Sequence, residues 1–153
     1  MFFDIFSKKA YKEDKKEIIL VDNREKNSLV ASYLIKEGFK IDFKQLPVAD
    51  YIVKGTAIER KTISDLKSSI INKRIISQLT ELKQFPKHIL IIEGISKNMY
   101  EGIIHENAFR GFLLSVAFDF NIPLILTQNE EDTAKYISVL ARKDKKQEIS
   151  FRA

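Results

Sequence analysis

The stretch that most limits what this chain can become is Val48–Lys61, VADYIVKGTAIERK. Val48–Val53 and Thr56–Lys61 are rich in strand formers, and Lys54-Gly55 between them reads as a two-residue hairpin turn. Such a turn pairs Val53 with Thr56 and therefore sets Asp50 opposite Glu59. Like charges directly opposite one another on a hairpin destabilise it, so a chain shaped for stability alone would avoid the pair. A divalent cation would convert the repulsion into chelation. Lys61, two residues past Glu59, returns to the same strand face. An amine beside two metal-binding carboxylates can polarise a water or hold a phosphate oxygen. The pattern points to metal-dependent phosphate chemistry; the alternative is a solvated hairpin with scattered charges.

With 153 residues, 44% hydrophobic and 31% charged, the chain fits one globular domain with a real core. It has no cysteine, which excludes a disulfide framework and a thiolate metal site. His88 and His105 lie far apart in the sequence and form no ligand pair. No apolar run approaches the ~20 residues of a membrane span, and Phe2, Phe3, Ile5 and Phe6 are too few for a signal-peptide core. The expectation is an intracellular protein, cytoplasmic or, in a eukaryote, nuclear, with no membrane partner. A formal charge of +5 permits a nucleic-acid partner without diagnosing one. Acids gathered at the proposed site leave the positive charge elsewhere, where it can attract phosphate.

Residues 1–17 read as a charged tail or short helix, 18–143 as the folded domain and 144–153 as a C-terminal tail. Ile18–Asp22 is a short apolar run expected of a buried strand. Asn27 or Ser28 caps a helix running to Glu37, which Gly38 closes. Phe39, Ile41 and Phe43 alternate with charged residues as in a half-buried strand, which Pro47 breaks. After the hairpin, Thr62 and Asp65 resemble a capping box before a helix to about Ile71. Further helices are expected at about Lys73–Gln84, Asn107–Asn121 and Glu130–Arg142, and strands at His88–Ile92 and Ile122–Thr127. The order predicts an α/β fold, a mixed sheet flanked by helices.

The Asn107–Asn121 helix has two apolar stripes, one of Phe109, Phe112, Leu113, Val116 and Phe120, the other of Leu114, Ala117 and Phe118. One stripe covers the sheet; the other predicts a subunit interface, unless the Phe2-Phe3-Ile5-Phe6 segment folds back over it.

The run Glu59-Arg60-Lys61-Thr62-Ile63-Ser64-Asp65-Leu66 resembles the ERK-x-x-x-D signature of the XPF/Hef nucleases, a branch of the PD-(D/E)XK superfamily. Val21-Asp22-Asn23-Arg24-Glu25 resembles that family's first strand-end motif, and Ala49-Asp50-Tyr51 its Gly-Asp-Tyr/Phe motif. Arg74–Leu82, Ile89–Gly94 and Arg110–Thr127 resemble its later helices and strands in order. The resemblance implies a restriction-endonuclease-like fold and a structure-specific DNA endonuclease that cuts near branch points such as 3′ flaps, splayed arms and forks. It also implies a homodimer, with the 107–121 and 130–142 helices as the expected contact.

By the same resemblance, one or two Mg²⁺ or Mn²⁺ ions sit on Asp50 and Glu59, with the main-chain oxygen of Arg60 facing them. Carboxylate and carbonyl oxygens suit those ions. Lys61 orients water or neutralises the phosphate, and Asp22 is a further ligand, directly or through water, or else a turn residue. Arg24, Arg60 and Arg74 are candidates for phosphate contacts. Arg60 points away from Glu59, so an ion pair with Asp65 or Glu25 is the other reading. Asp65 is either that partner or a helix cap, and Gln78 lies one turn beyond Arg74, able to reach the same groove.

Two features depart from the family pattern. Ala49 stands where the family usually has Gly, and the chain stops at Ala153 without the tandem helix-hairpin-helix domain of active members. That domain is expected outside this chain or on a partner. A non-catalytic dimerisation or DNA-docking subunit and a Holliday-junction resolvase are the rival readings. Retention of Asp22, Asp50, Glu59, Lys61 and Asp65 argues against the first.

Overall fold

The computed structural model describes residues 17–143. The expectations for the N-terminal aromatic segment and for both tails lie outside the described residues. Six strands form one sheet: β1 (Ile18–Asp22), β2 (Lys40–Lys44), β3 (Tyr51–Val53), β4 (Thr56–Thr62), β5 (Lys87–Glu93) and β6 (Leu124–Thr127). The helices are α1 (Leu29–Lys36), α2 (Ile63–Ile71), α3 (Arg74–Leu82), α4 (Glu106–Phe118) and α5 (Glu130–Arg142). Strand order is β2-β1-β3-β4-β5-β6. β3 runs antiparallel to both its neighbours, and every other pairing is parallel. This is the expected mixed sheet.

The elements start and stop for local reasons. Ser28 accepts from the Val30 N–H and caps α1, and Gly38 closes that helix at φ 90°. Thr62 accepts from the Asp65 N–H and caps α2. The hairpin turn puts Lys54 at φ 48° and Gly55 at φ 73°, the two positive values that a twist-matched two-residue turn requires. Asn129 caps α5 through the Asp132 N–H. His105 caps α4 by accepting from the Asn107 N–H at 3.1 Å. α4 ends at Phe118, three residues short of the expected boundary, and Asn121 turns the chain at φ 56°.

Strand alternation divides the interior into two cores. Ile19, Val21, Tyr51, Val53, Ile58 and Ile91 face one side, where α1 and α5 pack through Val30, Leu34, Ala134 and Ile137. Ala57, Leu90 and Ile92 face the other, covered by α2, α3 and α4 through Leu66, Ile75, Leu79, Phe109 and Val116. β5 is apolar over Ile89–Ile92 because a central strand is buried on both faces. The two stripes of α4 separate as expected. Phe109 and Val116 are buried, Phe112, Leu113 and Phe120 pack half-buried on the second core, and Leu114, Ala117 and Phe118 are exposed.

Candidate functional site

The hairpin register is the one the turn dictates: Val53 pairs with Thr56, Ile52 with Ala57 and Tyr51 with Ile58. Asp50 follows just before β3. Its N–H donates to the Ile58 carbonyl at 2.9 Å, and its carboxylate accepts the Arg60 N–H at 2.8 Å. The side chain of Asp50 thus takes a position in the ladder that a carbonyl would otherwise hold. Ala49 makes this possible with φ 72°, in the left-handed region that a Cβ disfavours. A glycine would hold this conformation without that penalty.

Alternation sends Glu59 and Lys61 toward the α2–α4 side and Arg60 toward the α5 side. Lys61 Nζ lies 3.9 Å from Glu59 Oε1, and both side chains are largely buried. Burial pushes the Asp50 carboxyl up to about 6, with the Glu25 charge adding to it. Burial, and then the Asp50 charge, pushes Glu59 up to about 8. Two carboxylates that resist ionising together are what a divalent cation stabilises.

Arg60 does not reach this pocket. Its Nε and Nη2 bond Glu93 Oε1 and Oε2 at 2.9 and 2.7 Å, and its Nη1 bonds Glu25 Oε2 at 3.0 Å. Burial alone would lower its pKa, but Glu93 and Glu25 hold it raised. The expected phosphate contact by Arg60 is corrected: the guanidinium is fully engaged on the other face of the sheet. Glu25 is its partner, as one reading had it, and Asp65 is not. Asp65 is exposed in the first turn of α2, and Thr62 caps that helix.

Asp22 ends β1 as expected, but its oxygens are committed. Oδ2 accepts from Arg24 N at 3.0 Å and from Arg24 Nε at 2.6 Å, and Oδ1 accepts from Leu46 N at 2.8 Å. Burial opposes ionisation, yet these donors hold its carboxyl below the usual range. Among the described residues no three Asp, Glu or His side chains gather as a metal cage. Asp22, expected as a further ligand or else a turn residue, is here the carboxylate that holds Arg24 and the Leu46 N–H. That arginine is exposed and feels the charges of Asp50 and Glu59. A shallow cleft of about 600 Å³ runs beside it, lined by Asp22, Asn23, Arg24, Gln45, Leu46 and Pro47.

Arg74 and Gln78 are not joined to the pair. Arg74 is exposed at the start of α3, its Nε donating to Asn72 Oδ1 at 3.1 Å. Gln78 is half-buried, and its Oε1 has no hydrogen-bond partner among the described residues. Glu93 went unassigned in the sequence reading. Its signal was an acid ending the apolar strand Ile89–Ile92, where a neighbour must neutralise it. Thr133, which donates to Glu93 Oε1 at 2.7 Å, carried no sequence signal.

The family profile of the ERCC4 domain matches residues 21–140. The chain belongs to the ERCC4 domain family. A Methanocaldococcus jannaschii protein named as an ATP-dependent RNA helicase is 42% identical over 127 residues, 82% of this chain and 15% of that protein. The 3′-flap repair endonuclease Xpf of Saccharolobus solfataricus is 33% identical over 129 residues, 82% of this chain and 54% of that one. The solved structure of XPF from Aeropyrum pernix in complex with DNA matches with a TM-score of 0.75 at 32% identity, over 83% of this chain and 64% of that chain. This ERCC4 domain has the expected restriction-endonuclease-like fold. It spans about half or less of the length of the two curated relatives.

Proposed function

We propose that this domain is the catalytic part of a metal-dependent endonuclease that hydrolyses phosphodiester bonds near branch points in DNA, in the compartment that holds the cell's DNA. The observation that carries the reading is the burial of the Asp50 and Glu59 carboxylates at the hairpin, with Lys61 Nζ 3.9 Å from Glu59 Oε1. The donors are hard carboxylate oxygens without sulfur or imidazole, which fits Mg²⁺ or Mn²⁺. Asp50 and Glu59 would hold the ion. When bound, it lowers the pKa of a water and polarises the scissile phosphate. Lys61 places a positive charge where the phosphate gains negative charge. Arg24, aimed by Asp22 at the mouth of the site, grips a neighbouring phosphate. The relatives named for 3′-flap cleavage and solved with DNA support this substrate class.

A homodimer is part of the proposal. β6 is one of the two outer strands of the sheet, with α4 packed into the core on one face and α5 into the core on the other. Exposed on these elements are Leu114 and Phe118 from α4, Leu126 from β6, and Tyr136 and Val139 from α5. Phe118 and Val139 are 78% and 66% exposed. Burying each such side chain contributes roughly 1.5–3 kcal/mol, and two-fold symmetry doubles the set.

The test is cleavage of a 3′ flap, a splayed arm, a four-way junction and plain duplex in Mg²⁺, Mn²⁺, Ca²⁺ and EDTA. Cleavage of flap and arm in Mg²⁺ or Mn²⁺, with little turnover in Ca²⁺, is expected. Preference for the four-way junction would favour a resolvase. No cleavage of any substrate in either ion would overturn the enzymatic reading in favour of a docking subunit.

A further inference from the structure

On the α5 side of the sheet, the bonds to Arg60 continue outward. Glu93 Oε1, which accepts from Arg60 Nε, also accepts from Thr133 Oγ1 at 2.7 Å. A hydroxyl has one proton, so Thr133 spends its own on Glu93 and must be the acceptor from Thr127 Oγ1, 2.7 Å away. Thr127, Thr133 and Glu93 are all buried. Thr127 ends β6 and Thr133 lies in the first turns of α5. The inner end of this chain of bonds is the Arg60 main chain, whose N–H holds the Asp50 carboxylate at 2.8 Å.

We infer that Glu93 and Thr133 are positioning residues for the Asp50–Glu59 pair, acting through Arg60: the hydroxyl fixes the carboxylate, the carboxylate fixes the guanidinium, and the guanidinium fixes the peptide that orients Asp50. The geometry is specific to this role. Glu93 grips Arg60 with both oxygens, a planar fork that resists rotation in a way a single contact does not. Glu25 holds the third nitrogen and accepts in turn from Tyr51 Oη at 3.1 Å, so the guanidinium is clamped from two sides. Because Arg60 lies between Glu59 and Lys61, fixing its backbone also fixes the points from which those two side chains leave β4. A general anchor for the sheet would not need the residue whose N–H binds Asp50. Partners that orient metal-binding groups typically contribute 10–100-fold to affinity or rate.

The inference rests on the nuclease reading only for its kinetic readout. Thr133→Val removes the hydroxyl and keeps the shape, and Thr133→Ser restores the hydroxyl. Urea unfolding selects an assay temperature at which all variants are folded. Two measurements then decide. First, amide hydrogen exchange in the metal-free protein should quicken at Arg60 about tenfold more than at Ile58 of the same strand in Thr133→Val, and return in Thr133→Ser. Second, on a cleaved branched substrate, Thr133→Val should lower kcat about tenfold with KM within about twofold, and Thr133→Ser should recover most of it. Exchange that changes uniformly along β4, or a kcat equal to the parent's, would overturn the inference. A parent that cuts no DNA defeats the nuclease reading instead, and the exchange measurement still decides this one. Should Thr133→Val fail to fold, Glu93→Gln, which keeps shape and acceptor oxygen, takes its place under the same criteria.

Discussion

The Asp50 carboxylate accepts the main-chain N–H of Arg60 at 2.8 Å, so the acid that faces the proposed metal is also a rung of the hairpin ladder. A carboxamide oxygen can accept the same bond. Asp50→Asn should therefore keep the fold while removing the charge, and Glu59→Gln should behave alike. Each is expected to lower cleavage in Mg²⁺ by about a thousandfold, the loss of about 4 kcal/mol of transition-state stabilisation. Removing one of two repelling acids should leave metal-free stability in urea equal or higher. A variant that cuts as fast as the parent would show that the site is elsewhere.

The same repulsion predicts an unusual pH dependence for the metal-free protein. Asp50 rises from 3.8 to about 6 and Glu59 from 4.5 to about 8 on folding. A carboxyl whose folded pKa is raised binds its proton more tightly in the native state. Its contribution is full below the unfolded values and is lost as pH climbs through the folded ones. This pair should therefore make unfolding free energy fall between about pH 4 and 8, by more than about 1 kcal/mol. The double variant Asp50→Asn/Glu59→Gln should lose that slope. Millimolar Mg²⁺ or Mn²⁺ should stabilise the parent most at the alkaline end, where both acids are charged and can chelate. Urea titrations across this range, with and without the ion, provide the check; a parent slope matching the double variant's would count against the assigned pair.

Ala49 and Ala57 are both buried alanines, yet glycine should affect them differently. Ala57 sits in the interior of β4, and Ala57→Gly loses a packed methyl and gains unfolded-state entropy, costing about 1–2 kcal/mol. Ala49 has φ 72°, where the left-handed penalty of about 1–2 kcal/mol is removed by glycine. Ala49→Gly should therefore come within about 1 kcal/mol of neutral. Equal losses at both positions in urea unfolding would contradict the strain assigned to Ala49.

Charges placed on α4 should separate assembly from folding. Phe118 and Leu114 are exposed, whereas Phe112 packs against the second core. Phe118→Glu or Leu114→Glu should give a folded monomer by sedimentation equilibrium at concentrations where the parent is a dimer. Phe112→Glu should instead destabilise the protomer by about 3 kcal/mol or more. A parent that sediments as a monomer at micromolar concentration would remove the dimer from the proposal.

Much of the architecture was legible because it rests on local rules. The turn Lys54-Gly55 needs two positive φ values and sets the pairing of Val53 with Thr56, so the register back to Tyr51 and Ile58 followed from counting, while Asp50, one residue before β3, bonds the Ile58 carbonyl instead of pairing with Glu59. Helix bounds followed from side chains that bond the next turn, as at Ser28 and Thr62. The two stripes of α4 followed from the helical period.

What only the tertiary structure decided were the partners of charges distant in sequence. Arg60 and Glu93 are 33 residues apart, and Thr133 is 40 beyond Glu93; nothing in local spacing chooses Glu93 over Asp65 for that guanidinium. The choice is made by the parallel register of β4 and β5, which sets Thr62 beside Glu93, and by the burial that forbids Glu93 an unpaired charge. The fate of Asp22 was settled the same way, when the Leu46 N–H, 24 residues on, arrived to occupy its second oxygen. Sequence by itself determined which residues share a strand face, because that depends on a period of two. Which of them meet across the fold depends on how the sheet is assembled, and only the assembled sheet shows it.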